Sequence, residues 1–183
     1  MIGAGTQTIE TERLILREFT LDDVGAMFRN WTQDPDVTRF LRWAPHSDEQ
    51  VTTDLVKKWM AQYGDSDYYH WVIALKESNM PIGSIGILNV SVLDESGEIG
   101  YAVGKPWWGQ GYTAEATKTV IAFAFEQVGF HRLEAYHSVN NPASGRVMQK
   151  CGMTLEGRLR HKYKCSEGFQ DCDLYAILNE TAD

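Results

Sequence analysis

Hydrophobic and polar positions along the chain alternate between short strand-like runs and helical repeats. An apolar centre with charged flanks predicts a strand over Glu12–Phe19. The SDEQ segment at 47–50 is a capping-box pattern, and the apolar residues that follow it recur every four positions up to Tyr63, which predicts a helix. The other predicted strands are 68–76, 81–90, 98–103, 132–138, 153–163 and 169–178, and the other predicted helices are 21–31, 113–128 and 143–151.

The order of these elements, β-α-α-β-β-β-α-β-α-β-β, predicts the fold class. Three strands in a row followed by alternating helices and strands favour an α/β (α+β) arrangement, with a mixed, mostly antiparallel sheet and helices on both faces. The 183 residues contain no repeat and suit a single domain spanning 1–183. We expect its core over 8–180, with residues 1–8 as a loose leader.

Composition narrows the function classes. The formal charge of −8 removes the electrostatic basis for binding nucleic acid and favours cationic partners such as amines. Three cysteines without a CxxC pair (Cys151, Cys165 and Cys172) argue against disulfides and a metal site. The longest weakly polar run, 82–93, is far shorter than the roughly 20 residues of a membrane span. Segment 1–11 does not resemble a signal peptide. We therefore expect a cytoplasmic protein without a membrane partner.

The most informative segment is GKPWWGQGYTA at 104–114, between a predicted strand and a predicted helix. Gly109 and Gly111 allow close backbone approach or a positive φ, and the start of the helix directs free amides at the same place. Such a turn is typical of a phosphate site, with an ordinary strand–helix turn as the alternative. Gln110 stands where a P-loop requires lysine, and residues 105–108 separate the glycines from the strand, unlike a dinucleotide fingerprint.

Four segments together resemble the GNAT superfamily of acetyl-CoA-dependent N-acetyltransferases, most closely its ribosomal-protein N-terminal acetyltransferase branch. They are TERLILREFTLDD (11–23), EIGYAVGKPWWGQGYTAEA (98–116), NNPASGRVMQKCGMTLEG (140–157) and DCDLYAI (171–177). The resemblance implies a GNAT fold with seven strands and splayed central strands. It also implies acetyl-CoA as co-substrate, no metal, and direct acetyl transfer to a primary amine.

One position departs from the family pattern. Pro106 stands where the superfamily usually has arginine or glutamine, and proline donates no N–H. The anion would therefore be held by the amides of about 110–113, with the side chain of Gln110 as an extra donor. Glu115, in the first turn of the helix, would repel a pyrophosphate, so we expect it to face away.

The resemblance also implies where coenzyme A lies. Pantetheine would occupy the gap between the strands at 98–103 and 132–138, where it would use strand amides that would also stabilise the oxyanion. Asn141 would orient the second coenzyme segment, or would serve only as a helix cap. The predicted coenzyme-binding residues are Tyr101, Ala102, Val103, Gly109, Gln110, Gly111, Tyr112, Thr113, Asn141 and Ser144.

Three residues are candidates for catalysis. Many GNAT enzymes protonate the leaving thiolate with a tyrosine on the last helix, but the matching position is Met148, which we expect in the core. In the ribosomal branch a serine is proposed for this role, and Ser144 matches it, with simple binding or capping as the alternative. Glu98 and His137 are candidate bases, against a solvated glutamate and a core histidine. The branch's own glutamate base matches the region near Tyr163 and cannot be transferred.

The acceptor would lie between the first helices and the middle strands. The predicted substrate-binding aromatics are Trp31, Trp43, Tyr69 and Trp71, with Trp107 nearby and core packing as the alternative for each. The resemblance favours a protein N-terminal α-amine, as on a ribosomal protein. A small-molecule acetyltransferase acting on a polyamine, amino acid or drug, and a non-catalytic acyl-CoA sensor, stay open, as does a homodimer.

Overall fold

The computed structural model describes residues 1–180 and contains one sheet of eight strands in the order β1-β2-β3-β4-β5-β6-β8-β7. All neighbouring strands are antiparallel except β5 and β6, which are parallel. The strands are β1 (Ile9–Glu10), β2 (Leu14–Arg17), β3 (Tyr69–Leu75), β4 (Pro81–Ser91), β5 (Ser96–Val103), β6 (Arg132–Ser138), β7 (Thr154–Cys165) and β8 (Gly168–Leu178).

Five α-helices accompany the sheet. They are α1 (Val24–Met27), α2 (Pro35–Thr38), α3 (Glu49–Met60), α4 (Tyr112–Phe123) and α5 (Pro142–Lys150). Helix α1 lies between a 3-10 turn (Leu21–Asp23) and a π turn (Phe28–Thr32), α4 continues as a π turn (Ala124–Val128), and a short 3-10 turn (Lys105–Trp107) precedes α4. Within residues 1–180, no helix has the length and apolar content needed to cross a membrane.

Two sequence predictions about the sheet and its leader are wrong in detail. The sheet has eight strands rather than seven, because Ile9–Glu10 pairs with β2 as a short edge strand. The leader is not loose: the amide of Ile2 donates to the carbonyl of Val128 at 2.7 Å, and that of Gly5 donates to Ser66 at 2.8 Å. The predicted mixed, mostly antiparallel architecture is confirmed.

Helix α3 shows how local chemistry sets an element boundary. The carboxylate of Asp48, not the hydroxyl of Ser47, accepts from the amides of Gln50 and Val51 at 2.9 and 3.1 Å. These bonds satisfy donors that would otherwise lack a partner in the first turn. The helix ends at Met60, before the last residue of the four-residue repeat.

Hydrophobic clusters on both faces of the sheet hold the helices in place. On β3, Trp71 and Ile73 belong to the cluster under α4, whereas Val72 belongs to the cluster under α1 and α3. Successive side chains of a strand point to opposite faces, which explains this division. Full burial of one such side chain contributes about 1.5–3 kcal/mol, so each face fixes its helices strongly.

The centre of the sheet opens between β5 and β6. The two strands pair only from Ser96 to Glu98, opposite Arg132 to Glu134. Beyond Glu98, β5 pairs only with β4, and β6 pairs only with β8 as far as Ser138. The splayed central strands predicted from the sequence are therefore present, and they leave backbone groups facing a gap.

Candidate active site

A cavity of about 970 Å³ occupies the gap and extends to both faces of the sheet. This volume is at the upper end of the range of about 300–1,000 Å³ that is usual for ligand pockets. One end lies at the glycine turn, and the other lies against the loop that carries Arg42. Among residues 1–180, no group of three or more His, Cys, Asp or Glu side chains lies where it could hold a metal ion.

Strand β5 exposes only alternate backbone groups to the gap. The amide of Gly104 donates to the carbonyl of Ile82 at 2.8 Å, and the antiparallel register then directs the peptide groups of Ala102 towards β4. Those of Tyr101 and Val103 face the gap. The carbonyl of Val103 accepts from the indole of Trp108 at 2.6 Å. The predicted role of backbone groups in binding pantetheine is thus corrected for Ala102, whose main chain is used within the sheet. It stays a prediction for Tyr101 and Val103.

The glycine turn has the conformation of an anion cradle. Gly109 and Gly111 have φ of +74° and +86°, which side-chain-bearing residues rarely adopt. No heavy atom lies within 4 Å of a Cβ placed on Gly109. Within residues 1–180, the backbone amides of Gly109, Gln110 and Gly111 make no hydrogen bond. Free amides and the start of α4 therefore converge on open space, with Tyr112 and Thr113 in the first turn.

The side chain of Gln110 does not join this cradle. Its amide nitrogen donates to the carbonyl of Pro106 at 2.7 Å, which closes the loop on itself. The expected extra donor is therefore used inside the turn.

Arg13 braces the turn from β2. It donates to the carbonyl of Gln110 at 3.1 Å and to the carboxylate of Glu115 at 2.7 Å, and its guanidinium lies 4.4 Å from the ring centre of Tyr112. The hydroxyl of Thr11 also donates to Glu115, at 2.6 Å. Partial burial alone would raise the pKa of Glu115, but the hydrogen bonds from Thr11 and Arg13 outweigh it and lower that pKa. The carboxylate thus faces β2, away from the cradle.

Ser144 lies on α5 and meets the hydroxyl of Tyr101 across the gap. The two hydroxyl oxygens are 2.9 Å apart, and the phenol also reaches the carbonyl of Ser144 at 3.1 Å. Burial raises the pKa of Tyr101 far above its usual value, so the phenol stays protonated. Met148 is 2% exposed and lies in the core, and Asn141 lines the cavity beside Ser144. Sequence reasoning assigned Tyr101 only a backbone role and missed this hydroxyl.

The two candidate bases lie on opposite faces of the sheet. Glu98 shares the face of Ala102, lines the cavity, and accepts from the side-chain amide of Asn89 at 3.2 Å. His137 points under α5, where its Nδ1 lies 2.7 Å from the carbonyl of Ser138. A Cβ on Gly145 would lie 2.5 Å from the His137 ring, so the ring is packed against α5. Both residues line the cavity, His137 from beneath α5 and Glu98 from the opposite face, and their roles as bases stay predictions.

The predicted acceptor aromatics divide into two groups. Tyr69 and Trp71 are 0% exposed, and neither lines the cavity. The indole of Trp71 donates to the carbonyl of Gln7 at 2.7 Å, within the core. These two predictions are corrected: the residues face α4 rather than the acceptor. Trp31 and Trp43 do line the cavity, on the face of α1 and α3. Trp107 lines the cavity as well.

The end of the cavity at the Arg42 loop is where we expect the acceptor, and we call it the acceptor end. It contains side chains that the sequence did not single out. Arg42 donates to the hydroxyl of Tyr136 at 2.8 Å, and its guanidinium lies 5.0 Å from the ring centre of Tyr163. Tyr163 in turn donates to the carbonyl of Phe40 at 2.7 Å. Burial raises the pKa of Tyr136, which stays a neutral phenol near Glu98. No motif links these residues, because they come from a loop and two distant strands.

Comparison with known proteins identifies the family. A family model described as "Acetyltransferase (GNAT) domain" matches residues 13–154. The chain belongs to the GNAT acetyltransferases. It is 27% identical over 172 residues to an uncharacterized N-acetyltransferase, p20, of Bacillus licheniformis, covering 94% of this chain and 96% of that protein. A GNAT-family acetyltransferase structure from Bacillus anthracis superimposes with a TM-score of 0.84 at 28% identity, covering 95% and 99% of the two chains.

One further relative is a protein acetyltransferase. The ribosomal-protein-serine acetyltransferase of Escherichia coli (strain K12) is 28% identical over 111 residues, covering 61% of this chain and 62% of that protein. With the family match and the N-acetyltransferase relatives, the GNAT chain is an acetyl-transferring enzyme, and GNAT acetyltransferases use acetyl-CoA as donor. The sensor alternative is thereby set aside.

Proposed function

We propose that this GNAT enzyme acetylates the α-amine at the N-terminus of a protein, as a single cytoplasmic domain with its core over 8–180. The observation that carries the proposal is the gap between β5 and β6, which joins the glycine turn on one side to Glu98 on the other. The free strand amides in this gap suit the extended pantetheine of acetyl-CoA, which would bring the thioester to the side of Glu98. The likeness to the E. coli ribosomal-protein-serine acetyltransferase supports a protein acceptor.

The residues of the glycine turn fit the diphosphate of acetyl-CoA. The amides of Gly109, Gln110 and Gly111 are unpaired, and a Cβ at Gly109 would point into open space. The amides at Tyr112 and Thr113 add the positive end of the α4 dipole. Acetyl-CoA, when bound, supplies a thioester whose carbonyl carbon is open to attack by an amine.

The side chains divide the chemistry between the two faces. Glu98, on the acceptor face, accepts the proton of the attacking amine directly or through water. The gap-facing amide of Tyr101 or Val103 donates to the oxygen that becomes negative. On the other face, the Ser144 hydroxyl donates its proton to the departing sulfur. The Tyr101 phenol oxygen lies 2.9 Å from Ser144 Oγ, so as the serine proton leaves the phenol donates to Ser144 Oγ in its place.

Release of free thiol from acetyl-CoA over a panel of acceptors tests the proposal. The panel contains short peptides with free N-termini, the same peptides with blocked N-termini, spermidine and single amino acids. We expect release with the free peptides and none with the blocked ones. Release with spermidine alone would support a small-molecule acetyltransferase and contradict the proposal. Binding of acetyl-CoA without release on any amine would contradict it as well.

A further inference from the structure

The acceptor end of the cavity carries cationic side chains although the whole chain is acidic. The protein carries a formal charge of −8, which by itself favours a cationic acceptor. At this end, however, Arg42 lines the cavity together with Glu98, and the other lining carboxylate, Asp36, is paired with Lys105. Lys162, next to the cavity wall, lies 5.1 Å from the ring centre of Tyr136. Within residues 1–180, neither Arg42 nor Lys162 has a carboxylate partner.

Arg42 differs from most of the other arginines because, within residues 1–180, it forms no ion pair with a carboxylate. Six arginines form ion pairs with carboxylates: Arg13, Arg17, Arg29, Arg39, Arg132 and Arg158. Of the cavity-lining arginines, Arg42 and Arg146 lack a carboxylate partner among the described residues. Arg146 lies on α5 with Ser144, on the coenzyme face. On the acceptor face, Arg42 is therefore the cavity-lining guanidinium that forms no ion pair within residues 1–180.

The guanidinium of Arg42 is held in a defined orientation although its side chain is exposed. One of its N–H groups donates to the Tyr136 hydroxyl at 2.8 Å, and its central carbon lies over the ring of Tyr163. Tyr163 is itself fixed by its bond to Phe40. A guanidinium has five N–H donors in a planar fork that matches a carboxylate, so donors remain for a ligand. The supporting rings reduce the entropy lost when that ligand binds.

From this arrangement we infer that the acceptor carries a carboxylate close to its reactive amine, with Arg42 binding the carboxylate and Glu98 facing the amine. This inference rests on the proposed acetyl transfer and specifies its substrate class. The hydrogen bond with the Tyr136 hydroxyl raises the pKa of Arg42 most, and the nearby carboxylate of Glu98 raises it further. A zwitterionic acceptor would match both groups at once. A polyamine would instead place a second cation against Arg42, at an electrostatic cost.

The carboxylate of the acceptor can be an acidic side chain at a peptide N-terminus or the α-carboxylate of a free amino acid, and matched acceptors distinguish the two. An acidic side chain at the peptide N-terminus is tested with Asp-Ala-Ala amide against Asn-Ala-Ala amide. A free α-carboxylate is tested with alanine against alaninamide. We expect kcat/KM to be about ten- to a hundredfold higher for the acidic member of at least one pair, as a charged hydrogen bond predicts. The pair that discriminates shows whether the carboxylate belongs to a peptide or to an amino acid. A preference confined to alanine over alaninamide would support this inference and overturn the protein acceptor proposed above.

Arginine variants test whether this preference arises at Arg42. Arg42→Gln is expected to remove most of the preference for the acidic acceptor while changing kcat/KM for its neutral partner by less than about threefold. Arg42→Lys keeps the charge and is expected to restore part of the preference. Arg29→Gln serves as the matched control, because Arg29 is also exposed and does not line the cavity. Unchanged acetyl-CoA affinity shows that each variant is folded.

The possible failures are distinguishable. Equal rates on acidic and neutral acceptors, a preference for spermidine, or an equal loss on both members of a pair in Arg42→Gln would overturn the inference and leave acetyl transfer intact. Absence of transfer to every acceptor would overturn the proposed function and this inference together.

Discussion

The hydroxyls of Ser144 and Tyr101 meet because a strand and a helix face each other across the gap, although the two residues are 43 positions apart in sequence. Met148 provides no proton at the helix position where the resemblance expects a tyrosine. A tyrosine hydroxyl nevertheless lies next to Ser144, supplied by β5. The pair therefore deserves to be tested as a unit rather than residue by residue.

We predict that Ser144→Ala lowers kcat by about a hundred- to ten-thousandfold with a smaller change in the dissociation constant of acetyl-CoA. This magnitude is typical for loss of one proton donor. Tyr101→Phe is expected to lower kcat by less, because the serine proton remains. Adding the second change to Ser144→Ala should have little further effect on kcat. Equal losses in turnover and affinity would reduce Ser144 to a binding residue, and fully additive losses would show that the hydroxyls act separately.

A second residue-scale prediction concerns His70, which lies on β3 beneath Trp59 at a ring-centre distance of 4.2 Å. Burial lowers the pKa of His70 to about 4. The imidazole is thus neutral when folded at pH 7, and the unfolded chain binds a proton more readily, near pH 6.5. The free energy of unfolding should rise with pH between about 4 and 6.5, with a contribution from His70 on the order of 3 kcal/mol.

Urea unfolding at several pH values measures this effect. His70→Gln should flatten the dependence between pH 4 and 6.5, whereas the exposed His161→Gln should leave it unchanged. His46, whose pKa burial also lowers, adds a contribution of the same sign in both variants. An equally steep dependence in His70→Gln would contradict the assignment.

At the scale of elements, the sequence predicted most strands and helices but not the contacts between them. Strand β6 matches its predicted range of 132–138, because apolar alternation and turn residues define its ends. The two-residue strand β1 was missed, since a pairing that short has no periodicity. The capping residue of α3 was also missed, because Ser47 and Asp48 are both good caps and only the backbone conformation selects between them.

The conformation of the glycine turn leads to a prediction about acetyl-CoA binding. Gly111 has φ of +86°, and a Cβ there would lie 3.5 Å from a nitrogen of Arg13. Gly111→Val is expected to abolish measurable acetyl-CoA binding in calorimetry, because a branched side chain strains the turn that presents the amides. Circular dichroism is expected to show a folded protein. Wild-type affinity in a folded variant would contradict the placement of the diphosphate.

Arg13, which supports the glycine turn from β2, is expected to affect acetyl-CoA binding less than Gly111 does. Arg13→Gln removes the ion pair with Glu115 and the bond to the carbonyl of Gln110. We expect a five- to twentyfold increase in the dissociation constant of acetyl-CoA, in the range of one charged hydrogen bond at a partly exposed site, with kcat little changed. Arg29→Gln is the control, since its partner Glu49 is remote from the turn. An unaltered dissociation constant in Arg13→Gln would show that the turn holds its shape without the brace.

At the scale of the whole molecule, the packing of the two hydrophobic clusters, rather than any sequence motif, sets the positions of the site residues. Trp71 and Tyr69 were predicted in the acceptor pocket, yet they form the core beneath α4. A sequence shows that an aromatic residue lies near the centre of a sheet, but its face depends on register. The cluster of Arg42, Tyr136 and Tyr163 was not predictable for the same reason, since it joins a loop to strands that follow about a hundred residues later.

The gap between β5 and β6 leads to the last prediction, which concerns global stability. A ligand that binds only the folded chain stabilises it by RT ln(1 + [L]/Kd), about 2.7 kcal/mol at a hundredfold excess over Kd. For a chain of this length, that corresponds to an increase in Tm of about 5–10 °C. Acetyl-CoA should produce this shift in a thermal melt of the wild type, and Gly111→Val should show none at the same concentration. A shift of equal size in that variant would mean that the ligand binds outside the glycine turn, and the division of the cavity into a coenzyme end and an acceptor end would then be wrong.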